Sequence, residues 1–377
     1  MELMKVGIFG GSFDPVHCEH VRCVQAAVAA LGLERVFIVP SYVAPHKAGG
    51  ARASEKARLQ MCRIAFQNVP EAEVSDYEIS AGGMSYSYLT CRYFRQKFSN
   101  CELYFLVGAD MLENFFLWKN PQDIVKNVTV AAFGRGGAKV HELHTRFFEA
   151  FGCDFVEIPF TGEEISSTEL RVALAFSKSP KALDEGVLRY IREHALYLPQ
   201  AAQALELEKP SRREHSYRVA RMACVRARSL GILEEKALLA ALLHDCAKYV
   251  PAHSELLAHF SPLEGVPEPV LHQFTGAYLA ENAFGIYDEE ILNAIRYHTS
   301  GRPEMGKLEK LVFLADMLEE GREFEGVKEL RALFWRDLDA CLVAALSHQI
   351  SYLQSSEKPI YPLTAEAYEW AKREYAK

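Results

Sequence analysis

KVGIFGGSFDPVHCEHVRCVQAAVAAL (Lys5 to Leu31) reads as a strand, a glycine turn and an amphipathic helix in direct succession. Val6, Ile8 and Phe9 make the apolar strand; Gly10, Gly11 and Pro15 make the turn; from Cys18 to Leu31 apolar residues recur at helical spacing. The same grammar repeats outward to about Phe160. RVFIVPS (35–41), CELYFLVGAD (101–110), NVTVAAF (127–133) and CDFVEIPF (153–160) are further strand candidates, with helical segments near Ser54 to Phe66 and Tyr86 to Phe98. Strand and helix in alternation predict an α/β domain with a parallel sheet covered on both faces. Ligands of such sheets bind beyond the carboxyl ends of the strands.

From about Gln203 the pattern changes. HSYRVARMACVRARSL (215–230), EKALLAALLHDCAKYV (235–250), EILNAIRYH (290–298) and LEKLVFLADMLEE (308–320) all carry helical spacing, with almost no strand signal. A second, all-α domain is expected over 203–377, after a first over 1–198, with Pro199 and AAQALELEKPS (201–211) as the junction. At 377 residues the chain has room for both cores.

Composition bounds the partners. A formal net charge of −8 argues against broad nucleic-acid binding, which needs a basic face, but not against small anionic substrates. The nine cysteines are scattered and odd in number, so a disulfide framework is not expected and a reducing cytoplasm is. No apolar run reaches membrane length, and MELMKVGIFGG reads as a first strand rather than a signal peptide.

Two segments of the first half carry chemistry. In GGSFDPVHCEH (Gly10 to His20), glycines admit a close ligand, and His17 and His20 share one face of a helix start. Free N–H groups there attract phosphate, and the histidines are placed to stabilise charge building on a transferring phosphorus. ISSTELR (Ile165 to Arg171) combines a capping pattern, Ser166 with Glu169, with a following arginine. Ser167, Thr168 and Arg171 can receive a phosphate chain there.

These two segments resemble the T/H-x-G-H and S-x-T-x-x-R motifs of the nucleotidylyltransferase superfamily. Within it, the first half is similar to bacterial nicotinate-nucleotide adenylyltransferases, on Pro45-His46-Lys47, GMSYS (Gly83 to Ser87), Gly108-Ala109-Asp110 with Trp118, and Arg135. The resemblance implies a Rossmann-like α/β fold and transfer of AMP from ATP, with Mg²⁺, to nicotinate mononucleotide. It assigns Gly10, Ser12, Phe13, His17, His20, Gly108, Asp110, Ser167, Thr168 and Arg171 to ATP, with His17, His20 and Arg171 catalytic. Lys47, Tyr86, Ser87, Trp118 and Arg135 fall to the pyridine nucleotide. A phosphopantetheine-type acceptor is the rival reading. Glu19 stands where the family has glycine, and is expected to face solvent or a basic neighbour, since a bare carboxylate there would repel the triphosphate.

In the second half His215, His244-Asp245, His272, His298 and Asp316 fall in or beside the helical segments. Imidazoles with carboxylates and no thiolate spacing suit Fe, Mn, Zn or similar divalent ions. One carboxylate can bridge two ions, which would activate water and clamp a phosphate. The set resembles the HD-domain phosphohydrolases. HDCAK (244–248), LHQFTGAYLA (271–280), RYHTSGR (296–302) and ADMLEEGR (315–322) are similar to the YqeK-like group, although Glu320 stands where that group has proline. That resemblance implies symmetrical cleavage of diadenosine tetraphosphate into two ADP at a two-iron-type centre, with Mn or Zn as the alternative metals. The resemblance puts His215, His244, Asp245 and Asp316 on one metal, and His272, His298 and a bridging, catalytic Asp245 on the other. Lys248 and Arg302 are assigned to phosphate, while His253, His259 and His348 match no motif and read as surface or packing residues. A non-catalytic regulatory module, or a phosphohydrolase of another nucleotide, stays open, as does self-association.

Overall fold

The computed structural model describes residues 3–44, 52–134, 138–163, 165–261 and 263–375, without the side chains of 109–110 and 138–141. It divides into two compact units, Met1–Leu170 with Ser179–Tyr197, and Arg171–Lys178 with Leu198–Lys377.

The first unit is built on six parallel strands: β1 (Lys5–Gly11), β2 (Arg35–Pro40), β3 (Ala72–Val74), β4 (Glu102–Gly108), β5 (Thr129–Gly134) and β6 (Val156–Pro159). Their order is β3-β2-β1-β4-β5-β6. Ile8 sits between Phe37 of β2 and Phe105 of β4, which shows why the central strands read as unbroken apolar runs: both faces are covered. Strand order reverses between β1 and β4, so a crevice opens where Gly10, Gly11 and Gly108 end their strands.

Helices α1 (Cys18–Leu31), α2 (Glu55–Phe66), α3 (Tyr77–Ala81), α4 (Ser87–Lys97), α5 (Ala109–Glu113), α6 (Pro121–Asn127), α7 (Ala138–Phe151), α8 (Ser167–Ala175) and α9 (Glu185–Glu193) follow the strands. The three longest expected helices are α1, α2 and α4; Ser54 caps α2 by accepting from Ala57 N at 3.2 Å. The three-residue edge strand β3 escaped the sequence reading, being too short to display a period of two. On one face of the sheet Phe94, Phe115 and Phe147 pack over Val6, Ile8, Phe37 and Phe105.

In the second unit the described residues form no strand. Its long helices are α10 (Pro210–Ala227), α11 (Glu234–Leu243), α12 (Glu268–Asn282), α13 (Glu289–Arg296), α14 (Lys307–Leu318), α15 (Val327–Arg336), α16 (Leu338–Ser355) and α17 (Pro362–Tyr375). Ala220, Ala223 and Ala227 of α10, with Ala237, Ala240 and Ala241 of α11, are small enough for close helix approach. Helices α11 and α14 are buried nearly all round, through Leu239, Leu242, Leu243, Leu311 and Leu314. Each such leucine contributes roughly 1.5–3 kcal/mol by leaving water. Those two central helices also carry three of the six metal-ligand candidates, His244 and Asp245 at the end of α11 and Asp316 in α14, so that part of the site inherits the rigidity of the core. No disulfide joins the nine cysteines. Among the described residues no helix is long and apolar enough to cross a membrane.

Two candidate active sites

At the carboxyl edge of β1, a Cβ on Gly11 would press on the buried Phe13 ring at 3.0 Å, so this turn favours glycine. Phe13, expected at the nucleotide, has a buried side chain; its ring lies edge-on to Phe9 at 5.7 Å and to His20 at 5.0 Å, bracing the histidine. His17 caps α1, and its N–H donates to Nδ1 of His20 at 3.1 Å. The two rings lie 3.7 Å apart. His17 is 7% exposed, and burial pulls its pKa down to about 4, so it is neutral at pH 7. Its buried Nδ1 has no hydrogen-bond partner among the described residues. The first N–H groups of α1 are already engaged, Cys18 N with the Ala182 carbonyl at 2.8 Å and His20 N with the His17 carbonyl at 3.0 Å, so the orphaned His17 nitrogen is the observation that points to a polar ligand here.

Neighbouring residues that the sequence did not single out hold this turn in place. The buried Arg58 of α2 donates to the carbonyls of Ser12 (2.8 Å), Ala53 (3.2 Å) and Tyr42 (3.4 Å). Asp14 accepts from Arg52 N (2.7 Å), Ala53 N (3.1 Å) and Tyr197 Oη (2.7 Å). The clue to Arg58 was an arginine on the buried face of a helix, between Ala57 and Met61. Glu19 does find a basic neighbour, Arg22, but it is buried rather than solvent-facing.

On the acceptor side, Tyr86 caps α4 and Ser87 opens it. Lys119 Nζ lies 4.2 Å from the Tyr86 ring, which brings the segment after Trp118 against the start of α4. Trp118 is partly exposed and packs on Phe115 at 5.2 Å. Gly108 ends β4 and caps α5, which contains Asp110; the Asp110 side chain, and Lys47 and Arg135 with Pro45 and His46, lie outside the described residues. Ser167 and Thr168 form the first turn of α8. Arg171, further along α8, belongs to the second unit, where Nε and Nη2 pair with the Glu234 carboxylate at 2.7 and 2.5 Å.

In that second unit the six expected metal ligands converge. His215 comes from α10, His244 and Asp245 from the end of α11, His272 from α12, His298 from just beyond α13, and Asp316 from α14. Asp245 divides them. Its Oδ2 faces His244 Nε2 at 3.3 Å and His215 Nε2 at 3.9 Å, while His215 Nε2 meets Asp316 Oδ1 at 2.8 Å. Its Oδ1 faces His272 Nε2 at 3.1 Å and His298 Nε2 at 3.6 Å. The groups His215-His244-Asp245 and Asp245-His272-His298 each have the spacing to hold an ion.

The outer contacts aim the rings. Nδ1 of His244 and of His298 meet the carbonyls of Ala241 (2.7 Å) and Ile295 (2.8 Å), leaving Nε2 as the ligand atom. Burial pulls the His298 pKa down to about 4, which keeps it neutral. Burial opposes the charged forms of His244 and Asp245 too, but their mutual attraction wins, raising the His244 pKa and holding the Asp245 carboxyl well below the usual range. Glu319 accepts from His215 Nδ1 at 3.1 Å and also pairs with Arg218. Glu319→Gln should weaken metal binding about 10- to 100-fold, as measured by competition with a chelating dye. Unchanged affinity would show that Glu319 only braces the fold.

Three cations ring the cluster. Arg212 Nη1 lies 2.9 Å from Asp245 Oδ2, Lys248 Nζ 3.1 Å from Asp245 Oδ1, and Arg322 Nη2 2.7 Å from Asp316 Oδ1. Of the two expected phosphate ligands only Lys248 is among them; Arg302 is bidentate to Glu309 at 2.7 and 2.9 Å. A cavity of about 480 Å³, in the ordinary range for a small-molecule site, is lined by His298, Thr299 and Asp316, and also by Phe324, His348 and Tyr352. The His348 ring lies 4.5 Å from Phe324, so this residue, read from sequence as surface or packing, stands in the cavity wall. His253 and His259 are exposed, as expected.

Comparison with known proteins agrees with both halves. Residues 8–173 match the cytidylyltransferase-like family model, and residues 212–321 match the HD domain, which implies divalent-metal binding by the clustered residues. A Mycoplasma pneumoniae protein named "Probable nicotinate-nucleotide adenylyltransferase/Ap4A hydrolase" is 32% identical over 84% of this chain and 89% of its own length. A Mycoplasma genitalium protein of the same name is 31% identical over 85% and 89%. Among solved structures, a Clostridium acetobutylicum protein described as a "predicted HD superfamily hydrolase involved in NAD metabolism" is 34% identical over 45% of this chain and 93% of that one, with a TM-score of 0.43.

Proposed function

Because the chain belongs to the family of two-domain nicotinate-nucleotide adenylyltransferase/Ap4A hydrolases, we propose that it catalyses both reactions of that name. Residues 1–198 transfer AMP from the magnesium complex of ATP to nicotinate mononucleotide, forming nicotinate adenine dinucleotide and pyrophosphate. Residues 203–377 use water to split diadenosine tetraphosphate into two ADP.

In the first reaction the acceptor phosphate attacks the α-phosphorus in line, with no covalent enzyme intermediate. His17 and His20, side by side at the start of α1, meet the α-phosphate as charge builds on it and on the leaving pyrophosphate. Gly10 and Ser12 offer backbone, Gly108 and Asp110 the adenosine side, and Ser167, Thr168 and Arg171 the phosphate chain. Tyr86, Ser87 and Trp118, with Lys47 and Arg135, receive the pyridine nucleotide; the Trp118 face suits stacking.

In the second reaction two divalent ions, iron first and manganese or zinc as alternatives, would activate water and clamp the phosphate. Four imidazole Nε2 atoms and two carboxylates suit such ions. His215, His244, Asp245 and Asp316 would hold one, and His272, His298 and Asp245 would hold the other. Lys248, Arg212 and Arg322 neutralise the polyphosphate, and the aromatic wall of Phe324 and His348 suits a nucleoside. The observation that carries the reading is the division of the Asp245 carboxylate between two histidine groups.

Chromatography of products tests it. The chain loaded anaerobically with Fe²⁺ or Mn²⁺ should convert diadenosine tetraphosphate to ADP alone, and with ATP and nicotinate mononucleotide should form the dinucleotide. AMP and ATP as hydrolysis products, or no turnover with both metals bound, would sink the hydrolase half.

A further inference from the structure

We propose that Glu19, acting with Arg22, is a positioning residue for adenylyl transfer, fastening the segment that leads into α8 to the histidine-bearing start of α1. The inference rests on the adenylyltransferase reading above. Glu19 lies between His17 and His20 in sequence, yet its side chain turns away from a role at the phosphate: it is 6% exposed and ion-paired with Arg22 one turn on. Its other oxygen, Oε2, accepts from the Glu163 N–H at 3.0 Å. Arg22 in turn donates to the Thr161 carbonyl at 3.3 Å, and its guanidinium lies 5.7 Å from the centre of the Phe160 ring. Four consecutive residues, Phe160 to Glu163, are therefore gripped by one ion pair on α1.

The grip has a steric counterpart. A Cβ at Gly162 would overlap both Glu19 Oε2 and the Phe160 ring, so the loop can approach this closely only with glycine there. From Phe160 a chain of ring contacts runs back to the site: Phe160 to Phe133 at 5.7 Å, Phe133 to Phe9 at 6.1 Å, and Phe9 to His20 at 6.2 Å. Just beyond the gripped residues stand Ser167 and Thr168, the phosphate-binding candidates of α8. A triphosphate reaching from His17 and His20 to the first turn of α8 needs those two starts held at a set spacing. A glycine in place of Glu19 leaves Arg22 without this partner and Glu163 N–H without this acceptor. The carboxylate does not repel ATP, because the Arg22 charge answers it within the pair.

The test is steady-state kinetics of Glu19→Gly, Glu19→Gln and Arg22→Met, with hydrogen exchange at the Glu163 amide. Glu19→Gly should raise KM for ATP about tenfold, while KM for the pyridine nucleotide stays within about twofold. Glu19→Gln keeps an acceptor oxygen and should fall between. Combining Glu19→Gly with Arg22→Met should cost no more than Glu19→Gly alone, since both break one clamp. The Glu163 amide should exchange faster in each single variant. Unchanged or lower KM for ATP in Glu19→Gly and Arg22→Met, with wild-type turnover intact, overturns the clamp and leaves the adenylyltransferase reading standing. No dinucleotide from the wild-type protein overturns that reading, and the positioning role with it.

Discussion

Asp245→Asn is expected to lower hydrolysis of diadenosine tetraphosphate on the order of 10³-fold or more, while adenylyl transfer by the same preparation stays within about twofold. The carboxylate is the member common to both histidine groups, His215-His244-Asp245 and Asp245-His272-His298. Asparagine keeps the shape but offers one oxygen and one N–H₂, so one of the two groups would meet a donor where it needs a ligand. It also removes the negative charge that sits against Arg212 and Lys248. Metal content and ADP formation should fall together, and adenylyl transfer in the same sample reports that the protein is folded. A variant that keeps two ions and forms ADP near the wild-type rate would remove Asp245 from the reaction.

The second large effect is at the histidine pair. Replacing His17 or His20 with alanine should lower kcat for dinucleotide synthesis by about 10²- to 10³-fold, the usual loss when one preorganised transition-state contact is deleted. KM for ATP should change much less, because these contacts strengthen only as charge develops. His17 offers a neutral, buried ring with an orphaned nitrogen, while His20 is braced by Phe13 and by the His17 amide. Loss of either ring should also loosen the other, so the double variant should be little worse than each single one. A drop confined to KM, with kcat intact, would recast the pair as ground-state binding residues.

Some of this architecture is written locally. Strand, turn and helix from Lys5 to Leu31 are set by which residues tolerate an extended, left-handed or helical backbone, and so could be read without knowing the fold. The same holds for the helical spacing around His244-Asp245. The edge strand β3 was not legible because three residues carry no periodicity, and its pairing with β2 comes from the sheet.

By itself, the sequence determined the two fold classes, the histidine pair at the start of α1 and the six imidazole and carboxylate groups of the second half. Each of these rests on short-range chemistry: backbone preference, apolar period, or a ligand-bearing residue type in a helical context. Only the tertiary structure decided that Asp245 offers one oxygen to each histidine group, since that depends on how α10, α11, α12 and α13 pack together. It alone gave Arg302 to Glu309 and put Arg212 and Arg322 at the cluster. It also buried Arg58 beneath the Ser12 turn and joined Glu19 to residues more than a hundred positions away. The physical reason is common to all of them. A charged side chain takes whichever partner burial brings within about 3 Å, and sequence spacing says nothing of that distance.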